Sequence, residues 1–534
     1  MVGVAADPAT APSSHLRRQR SHRLYHPVLP RKPANRVSEN PHNGARTTAD
    51  WSQWSADSGL RRADTSVIAR LTPQDADFFR LESTTHPVHI GSLIVLDNTT
   101  GDGRPLDYPA LVDLVEARLP LAPRYRRKVR QVPLSLGRPV WVEDSRFDIT
   151  YHIRRSALPS PGSDDQLHEL AARLASRPLD PARPLWEMYL IEGLSGGRCA
   201  IYTKSHAALV DGVAALEIGH VVADAAESPR EIADDQWQPG REPSDTDLLV
   251  GALGHLVAQP TSAVEVLREA GANAAGVIGT AGRTLDTVAA AVRSATSGTP
   301  DSPLNARTCR QRRFATAVTD LADYKRIHQQ AGCTINDVVL AVVTGALRNW
   351  LLSRNKGLTE STVLRAAVPM SGNDGEPHAG RSLPSAITPL LISLPVGEPS
   401  PVMRLSHIAH ATSADGRQRH AVRARTLVHL AGFAPASLHA MSVRAASTFA
   451  DHTFNVVITN APGPQTPMFV GGARMLEMYP VSPLLRNQAT SIGITSYNGR
   501  VCYGLNADRE AMADIGVLAA SVPESMEELL GACL

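Results

Sequence analysis

Lys204-Ser205-His206-Ala207-Ala208-Leu209-Val210-Asp211-Gly212 is the stretch on which the reading of this chain turns. It ends a strand-like segment, Cys199–His206. Asp211-Gly212 then opens a helix whose apolar positions include Leu216, Val221 and Val222. A histidine at a strand-to-helix turn suits proton transfer, because its unperturbed pKa lies near neutrality. Acyl transfer from a thioester to a hydroxyl needs such a base and donors for the tetrahedral oxyanion.

Working outward, Leu185–Glu192 reads as a second strand, joined to the first by Gly193-Leu194-Ser195-Gly196-Gly197-Arg198, a glycine-containing hairpin loop. Before it, Ser163-Asp164-Asp165-Gln166 forms a capping box ahead of Leu167, Leu170, Ala171 and Leu174 at helical spacing. Further upstream, Thr72 can cap a helix with Pro73 at its first position. His86–Leu96 reads as a strand entering the core, and Tyr108–Arg118 as a helix. Arg124-Tyr125-Arg126-Arg127-Lys128-Val129-Arg130 is a dense basic run. It fits either a solvated face or contact with nucleotide phosphates or an anionic membrane.

Downstream, residues 227–245 are polar and proline-bearing, as linkers are. Three helix-like segments follow, at about 246–258, 262–280 and 284–296. They suit a connector packed on the domains or a helix lying on lipid. A second set of elements then begins with a strand near Arg313–Val318 and a helix capped by Thr334, with Asp337 in its first turn. Strands are expected at Leu364–Pro369, Leu390–Leu394 and Phe454–Thr459. The strongest hairpin signal is Ser491–Tyr497 against Arg500–Leu505, joined by Asn498-Gly499, which suits a type I′ turn.

With 534 residues the chain should form more than one core. The net charge is +2, but residues 1–66 hold ten Lys/Arg against five Asp/Glu, so a basic tail precedes a slightly acidic body. That pattern argues against a nucleic-acid-binding protein. The tail lacks hydrophobic periodicity and is expected to be disordered. It has no continuous apolar core after its basic residues, so no secretory signal is expected. No run of about 18 apolar residues suggests a transmembrane helix. The five cysteines lack metal or redox spacing and read as free thiols in a reducing compartment.

Six stretches, in order, resemble the bacterial wax ester synthase/diacylglycerol acyltransferase family: Leu71-Thr72-Pro73 through His89-Ile90-Gly91; Arg183-Pro184-Leu185-Trp186-Glu187; Lys204 to Gly212; Thr334-Ile335-Asn336-Asp337-Val338-Val339-Leu340; Asn460-Ala461-Pro462-Gly463-Pro464; and Ser496-Tyr497-Asn498-Gly499. The resemblance covers nearly all of residues 71–534. It implies an α/β fold of two chloramphenicol-acetyltransferase-like domains with a channel between them. Residues 1–66 would be the disordered basic tail and 67–226 the N-terminal domain. Residues 227–304 would be the linker and helical connector, and 305–534 the C-terminal domain. The implied activity is acyl-CoA-dependent O-acyl transfer to diacylglycerol or a long-chain alcohol, giving triacylglycerol or wax ester. Acyl-CoA enters as a substrate; no cofactor, metal or nucleic acid is implied. The expected location is cytoplasmic, with peripheral contact at the inner membrane or lipid inclusions.

The family motif is His-His-x-x-x-Asp-Gly, whose second histidine is the general base. Counting back from Asp211, that position holds Ala207, and His206 matches the first histidine. A methyl group accepts no proton, so impaired turnover is expected. Neighbouring strand residues point to opposite faces, which turns His206 away from the base position and makes it a buried structural histidine. Asp211 and Gly212 complete the motif, with Asp211 bracing the site or capping a helix. Asn336 and Asp337 match the family's Asn-Asp pair and are expected to line or brace the channel, or to cap their helix. Pro184 and Trp186 are expected to pack. The other class of function is a non-catalytic relative that binds acyl-CoA or lipid at a membrane or droplet surface.

Overall fold

The structure is a computed structural model, and it describes residues 69–98, 105–210, 218–230, 232, 237–258, 300, 302–371, 387–418 and 454–533. The basic tail, the connector segments at 262–280 and 284–296, and Asp211 and Gly212 lie outside these residues.

Two large sheets organise the chain, and a small one flanks them. The small sheet holds β1 (Ala69–Arg70), β3 (Arg127–Arg130) and β4 (Val140–Glu143). The first large sheet is built on β2 (His89–Asp97), β5 (Ile153–Ala157), β6 (Trp186–Glu192), β7 (Arg198–His206) and β8 (Ala223–Asp224). The second contains β9 (Arg312–Asp320), β10 (Leu364–Ser371), β11 (Ile387–Leu394) and β12 (Val456–Ala461). The chain then leaves the second sheet. Strands β13 (Phe469–Val470) and β14 (Ala473–Val481) cross back and complete the first, in the order β5-β6-β7-β2-β14-β13-β8. Strands β15 (Thr490–Tyr497) and β16 (Arg500–Asp508) return to the second, in the order β11-β10-β12-β15-β16-β9.

Residue 305, expected as a domain boundary, therefore does not separate the sheets. The physical reason is an open edge. Strand β2 is buried along its length up to Asp97, so both its edges need hydrogen-bond partners. Strand β7 satisfies one, from His89↔His206 to Asp97↔Arg198. Strand β14 satisfies the other, from Val481↔Gly91 to Arg474↔Asp97. The closeness of β2 and β7 depends on Gly91, where an added Cβ would stand 2.1 Å from the Thr203 carbonyl oxygen.

The faces of the first sheet bury different cores. Ile90, Ile94 and Leu96 pack with Phe78, Leu111 and Val115 of its covering helices. Leu93, Val95 and Tyr202 meet Phe314, Tyr479 and Cys502 from the second half. The second sheet packs on helix Ile335–Ser353, which is almost wholly buried with Val338, Val342, Leu347 and Trp350 in its core. By length and mean hydropathy this helix passes for a membrane span, but Asn336, Asp337, Arg348 and Asn349 interrupt its apolar residues, and it is a buried core helix.

Local signals match their expected chemistry. Thr72 Oγ1 accepts the Asp75 N–H at 3.0 Å. Ser163 and Gln166 make both bonds of their capping box. Asn498 and Gly499 both take positive φ, at 44° and 83°, between β15 and β16. All five cysteines are free thiols.

The basic run is neither a solvated face nor an open anion site. Lys128 Nζ reaches Asp144 at 3.4 Å and Glu242 at 3.0 Å. Arg130 binds Glu242 and Asp245, each at 2.6 Å, and Arg126 lies over the Trp237 ring at 4.6 Å. Glu242 and Asp245 of the expected linker pair with Lys128 and Arg130 and tie residues 237–245 to β3.

Candidate active site

The end of β7 is stitched in place on both sides. The His206 N–H donates to the Leu185 carbonyl at 2.9 Å, and the Ala207 N–H to the Val88 carbonyl at 3.0 Å. Helix Ala207–Val210 starts at once, one turn earlier than Asp211-Gly212 suggested. Ala207 is fully buried among the apolar residues on the Ile90 side of the sheet.

His206 is fixed by three contacts. Its ring stacks on Phe79 with centroids 4.3 Å apart. Its Nδ1 accepts the Ala208 N–H at 3.2 Å, and its Nε2 lies 3.5 Å from Glu82 Oε2. The bond from Ala208 occupies the lone pair of Nδ1, so the ring proton sits on Nε2 and faces Glu82. This histidine has no free lone pair with which to take a proton from a substrate.

A second imidazole shares the same carboxylate. His89 stands opposite His206 in the ladder, its Nε2 is 3.4 Å from Glu82 Oε1, and the two rings are 6.4 Å apart in an edge arrangement. Glu82 ends helix Pro73–Leu81 as its C-cap, so helix geometry places its carboxylate between the rings. Burial would raise that carboxyl, but hydrogen bonding and charge from His206 and His89 outweigh it and hold it well below the usual range. Burial pushes His89 down to about 4 against the pull of Glu82, which leaves the imidazole neutral.

Next along β7, Lys204 is fully buried. Its three N–H donors are matched by Glu187 Oε2 at 2.9 Å and the carbonyls of Leu174 at 3.3 Å and Arg177 at 3.1 Å. Glu187 also receives Arg154 at 3.1 Å and the Tyr189 hydroxyl at 2.9 Å. Burial alone would lower the Lys204 pKa and raise that of Glu187, and each group opposes the shift in its partner. This pair anchors the strand that carries the site. Trp186 packs as expected, stacked on His152 at 4.5 Å with its indole N–H on the Tyr125 carbonyl at 2.8 Å.

Asn336 and Asp337 form a separate group at the start of helix Ile335–Ser353. Asn336 Oδ1 accepts from Asn460 Nδ2 at 3.2 Å, which joins two of the six motif stretches. Asp337, expected among the substrate-binding residues, is 2% exposed. One carboxylate oxygen caps through the Thr334 N–H at 2.8 Å and the other accepts the Thr412 hydroxyl at 2.7 Å. With both oxygens engaged, Asp337 braces the helix start. No hydrogen bond or ion pair among the described residues joins this group to Glu82, His89 or His206.

Sequence reasoning gave Glu82 and His89 no role. His206 lies more than a hundred positions from His89, and only the β2–β7 register brings the two rings together around Glu82. A polar residue at each end of an otherwise apolar core strand was the available signal.

Comparison with known proteins agrees with this architecture. Residues 71–339 match the wax ester synthase/diacylglycerol acyltransferase catalytic domain, and residues 385–530 match the WS/DGAT C-terminal domain. The probable diacylglycerol O-acyltransferase tgs3 of Mycobacterium tuberculosis strain H37Rv is 48% identical over 271 residues, covering 50% of this chain and 98% of that protein. The probable diacylglycerol O-acyltransferase tgs1 of the same strain is 32% identical over 466 residues, covering 86% of this chain and 95% of that protein. Among solved structures, the wax ester synthase/diacylglycerol acyltransferase of Marinobacter aquaeolei VT8 superposes with a TM-score of 0.59 at 28% identity, over 87% of this chain and all of that one. The first condensation domain of the calcium-dependent antibiotic synthetase shares the fold, with a TM-score of 0.51 at 17% identity, over 88% of this chain and 97% of that one. The fold is thus the expected α/β, chloramphenicol-acetyltransferase-like one.

Proposed function

Because the chain belongs to the wax ester synthase/diacylglycerol acyltransferase family, we propose that it is an acyl-CoA-dependent O-acyltransferase whose turnover is lowered by Ala207. The acceptor is a diacylglycerol or a long-chain alcohol, and the product a triacylglycerol or wax ester. Acyl-CoA is a substrate, and the reaction needs no resident cofactor or metal.

One observation carries the impaired half of this reading. Ala207 occupies the position of the family's base, and the imidazole beside it has its Nδ1 lone pair engaged by the Ala208 N–H at 3.2 Å. Without general-base help, attack of the hydroxyl on the thioester slows by about 10²–10⁴-fold. Substrate binding and oxyanion stabilisation do not depend on that base.

The same methyl group favours a second reading, a non-catalytic relative that binds acyl-CoA or lipid. Both readings place the protein in the cytoplasm with peripheral contact at a membrane or lipid inclusion. Support for that contact comes from helix Asp245–Ala258, which exposes Val250 at 65% and Leu253 at 52%. The neighbouring turn Pro133–Ser135 presents Leu134, 83% exposed. Apolar side chains this exposed and close together suit a lipid surface.

The test is CoA release from palmitoyl-CoA with hexadecanol or a diacylglycerol, measured for the parent and for Ala207→His. Slow parent turnover that rises in the variant is the expected result. A fast parent that gains nothing contradicts the impairment. Binding of palmitoyl-CoA without turnover in either protein selects the binding-protein reading.

A further inference from the structure

We propose that Cys333 and Cys533 form an oxidation site, a pair of thiols that a hydroperoxide converts to a disulfide within one chain. The site is independent of the acyltransferase reading.

Helix register sets the pair. Helix Ile335–Ser353 packs on the last helix, Ile515–Cys533. The Trp350 indole N–H donates to Asp514 Oδ2 at 3.0 Å, and Arg354 reaches the same carboxylate at 2.6 Å. Further along, an added Cβ at Gly345 would stand 2.0 Å from Ser525 Oγ and 3.1 Å from Ser525 Cβ, so the two helices nearly touch there. Numbers that fall along one helix rise along the other, which makes the pair antiparallel. Continued past Gly345 and Ser525, this register brings the start of the first helix to the end of the second. Cys333 stands just before that start, and Cys533 is the last residue of that end. Both thiols pack against the same core, with Ile335 and Leu530.

One thiol is fixed and the other can adjust. The Cys333 carbonyl accepts from the His328 ring. Gly332 before it ends helix Leu321–Ala331 at a φ of 65°, and Thr334 after it caps the next helix. Cys533 lies beyond Pro523, which interrupts the hydrogen-bond ladder of its own helix. The turns after that proline are held by packing and by the Arg404–Glu528 pair at 2.6 Å. A helix end fastened this way can settle into the spacing that a disulfide demands.

The pair is also open to a small oxidant. Both thiols are half-buried, whereas Cys199 and Cys502 are buried. Each of the pair follows two small exposed residues, Ala331-Gly332 and Gly531-Ala532. An added Cβ at Gly332 or Gly531 would meet nothing within 4 Å. In a reducing compartment such a bond is transient and reports oxidation.

Burial and then the Asp337 charge raise the Cys333 thiol, and Cys533 adds to that rise. Burial raises Cys533. With no carboxylate acting on it, Cys533 is the attacking sulfur. Its thiolate attacks one peroxide oxygen, the O–O bond breaks, and the hydroxide released takes up the thiol proton as water. A sulfenic acid remains on Cys533. Cys333 Sγ then attacks Cys533 Sγ, the S–O bond breaks, and a second water leaves with the Cys333 proton. The two thiols lose two electrons, and the peroxide gains them.

The test uses the purified, reduced full-length chain and hydrogen peroxide. The reaction is stopped with catalase, and free thiols are alkylated before unfolding. The thiol titre should fall by two, with one peptide pair joined through Cys333 and Cys533 in the mass map, and dithiothreitol should reverse both changes. The oxidised chain should melt at a higher temperature than the reduced one, because the bond closes a long loop. Cys533→Ser and Cys333→Ser should each melt as the reduced parent does and lose that rise, while Cys309→Ser should keep it. Thiols that stay free overturn the proposal. A bond to another cysteine or to a second chain also overturns it, as does Cys533 driven to the sulfinic acid beside a reduced Cys333. An oxidised chain that melts lower overturns it too, since the native spacing would then not admit the bond.

Discussion

Glu82 sits between two imidazoles, 3.4 Å from His89 Nε2 and 3.5 Å from His206 Nε2, and each ring keeps a buried nitrogen without a hydrogen-bond partner. Ala207 follows His206 in the chain but packs among apolar side chains on the Ile90 side of the sheet. Substituting histidine there should restore what the family motif supplies. Ala207→His should raise the rate of CoA release by about 10²-fold or more, measured at saturating palmitoyl-CoA. The side chain must displace apolar neighbours, since Ala207 is fully buried, so a lower Tm should accompany the gain.

Buried neutral histidines make stability depend on pH in a defined direction. Burial holds His89 and His152 down to about 4 in the fold, against about 6.5 in the unfolded chain. Between those values the unfolded state binds more protons. Stability is thus fully present above about pH 6.5 and is lost as pH falls toward 4, by roughly 3 kcal/mol per histidine at most. Urea midpoints at pH 7, 5.5 and 4.5 should fall in sequence. A flat profile would mean that these rings are not held neutral.

Gly91 tests the closeness of β2 to β7. The Cβ of Gly91→Ala would meet a backbone carbonyl at 2.1 Å, and that carbonyl belongs to a central strand with little room to yield. A loss of about 1–3 kcal/mol is expected, read as a lower urea midpoint. Because the clash is one residue from Ile90, which packs on the Ala207 side of the sheet, activity should fall with it.

Asp337 separates bracing from substrate contact. Asp337→Ala removes a helix cap and the 2.7 Å acceptor of the half-buried Thr412 hydroxyl, which still reaches the Ala409 carbonyl at 3.1 Å. A loss of about 1–2 kcal/mol is expected, with KM for palmitoyl-CoA unchanged in the fraction that remains folded. A raised KM at full stability would return Asp337 to the substrate site.

Much of this was legible in the sequence, for identifiable reasons. Elements with a local cause stood out: the Thr72 cap with Pro73, the Ser163–Gln166 box, and the Asn498-Gly499 turn. Each is fixed by residues within a few positions of one another. Features fixed by long-range pairing were not legible. The His89–Glu82–His206 group depends on a helix end and two strands whose contact is set by the whole sheet. The basic run looked free because its carboxylates, Glu242 and Asp245, lie more than a hundred residues away. The return of β14 to the first sheet had no local signal, because a buried strand reads alike in either sheet.

That returning strand has a consequence for how the molecule is made. Until residues 473–481 leave the ribosome, β2 has one bare edge along the strand that carries His89. At about 5–20 residues per second, the wait is on the order of tens of seconds. During it the first half is a template for any passing extended peptide. A gene cut between the halves would leave the first sheet open on that side, and the missing strand would have to be supplied by the other fragment. The two halves are thus better regarded as partners in one folding event than as modules that can be exchanged.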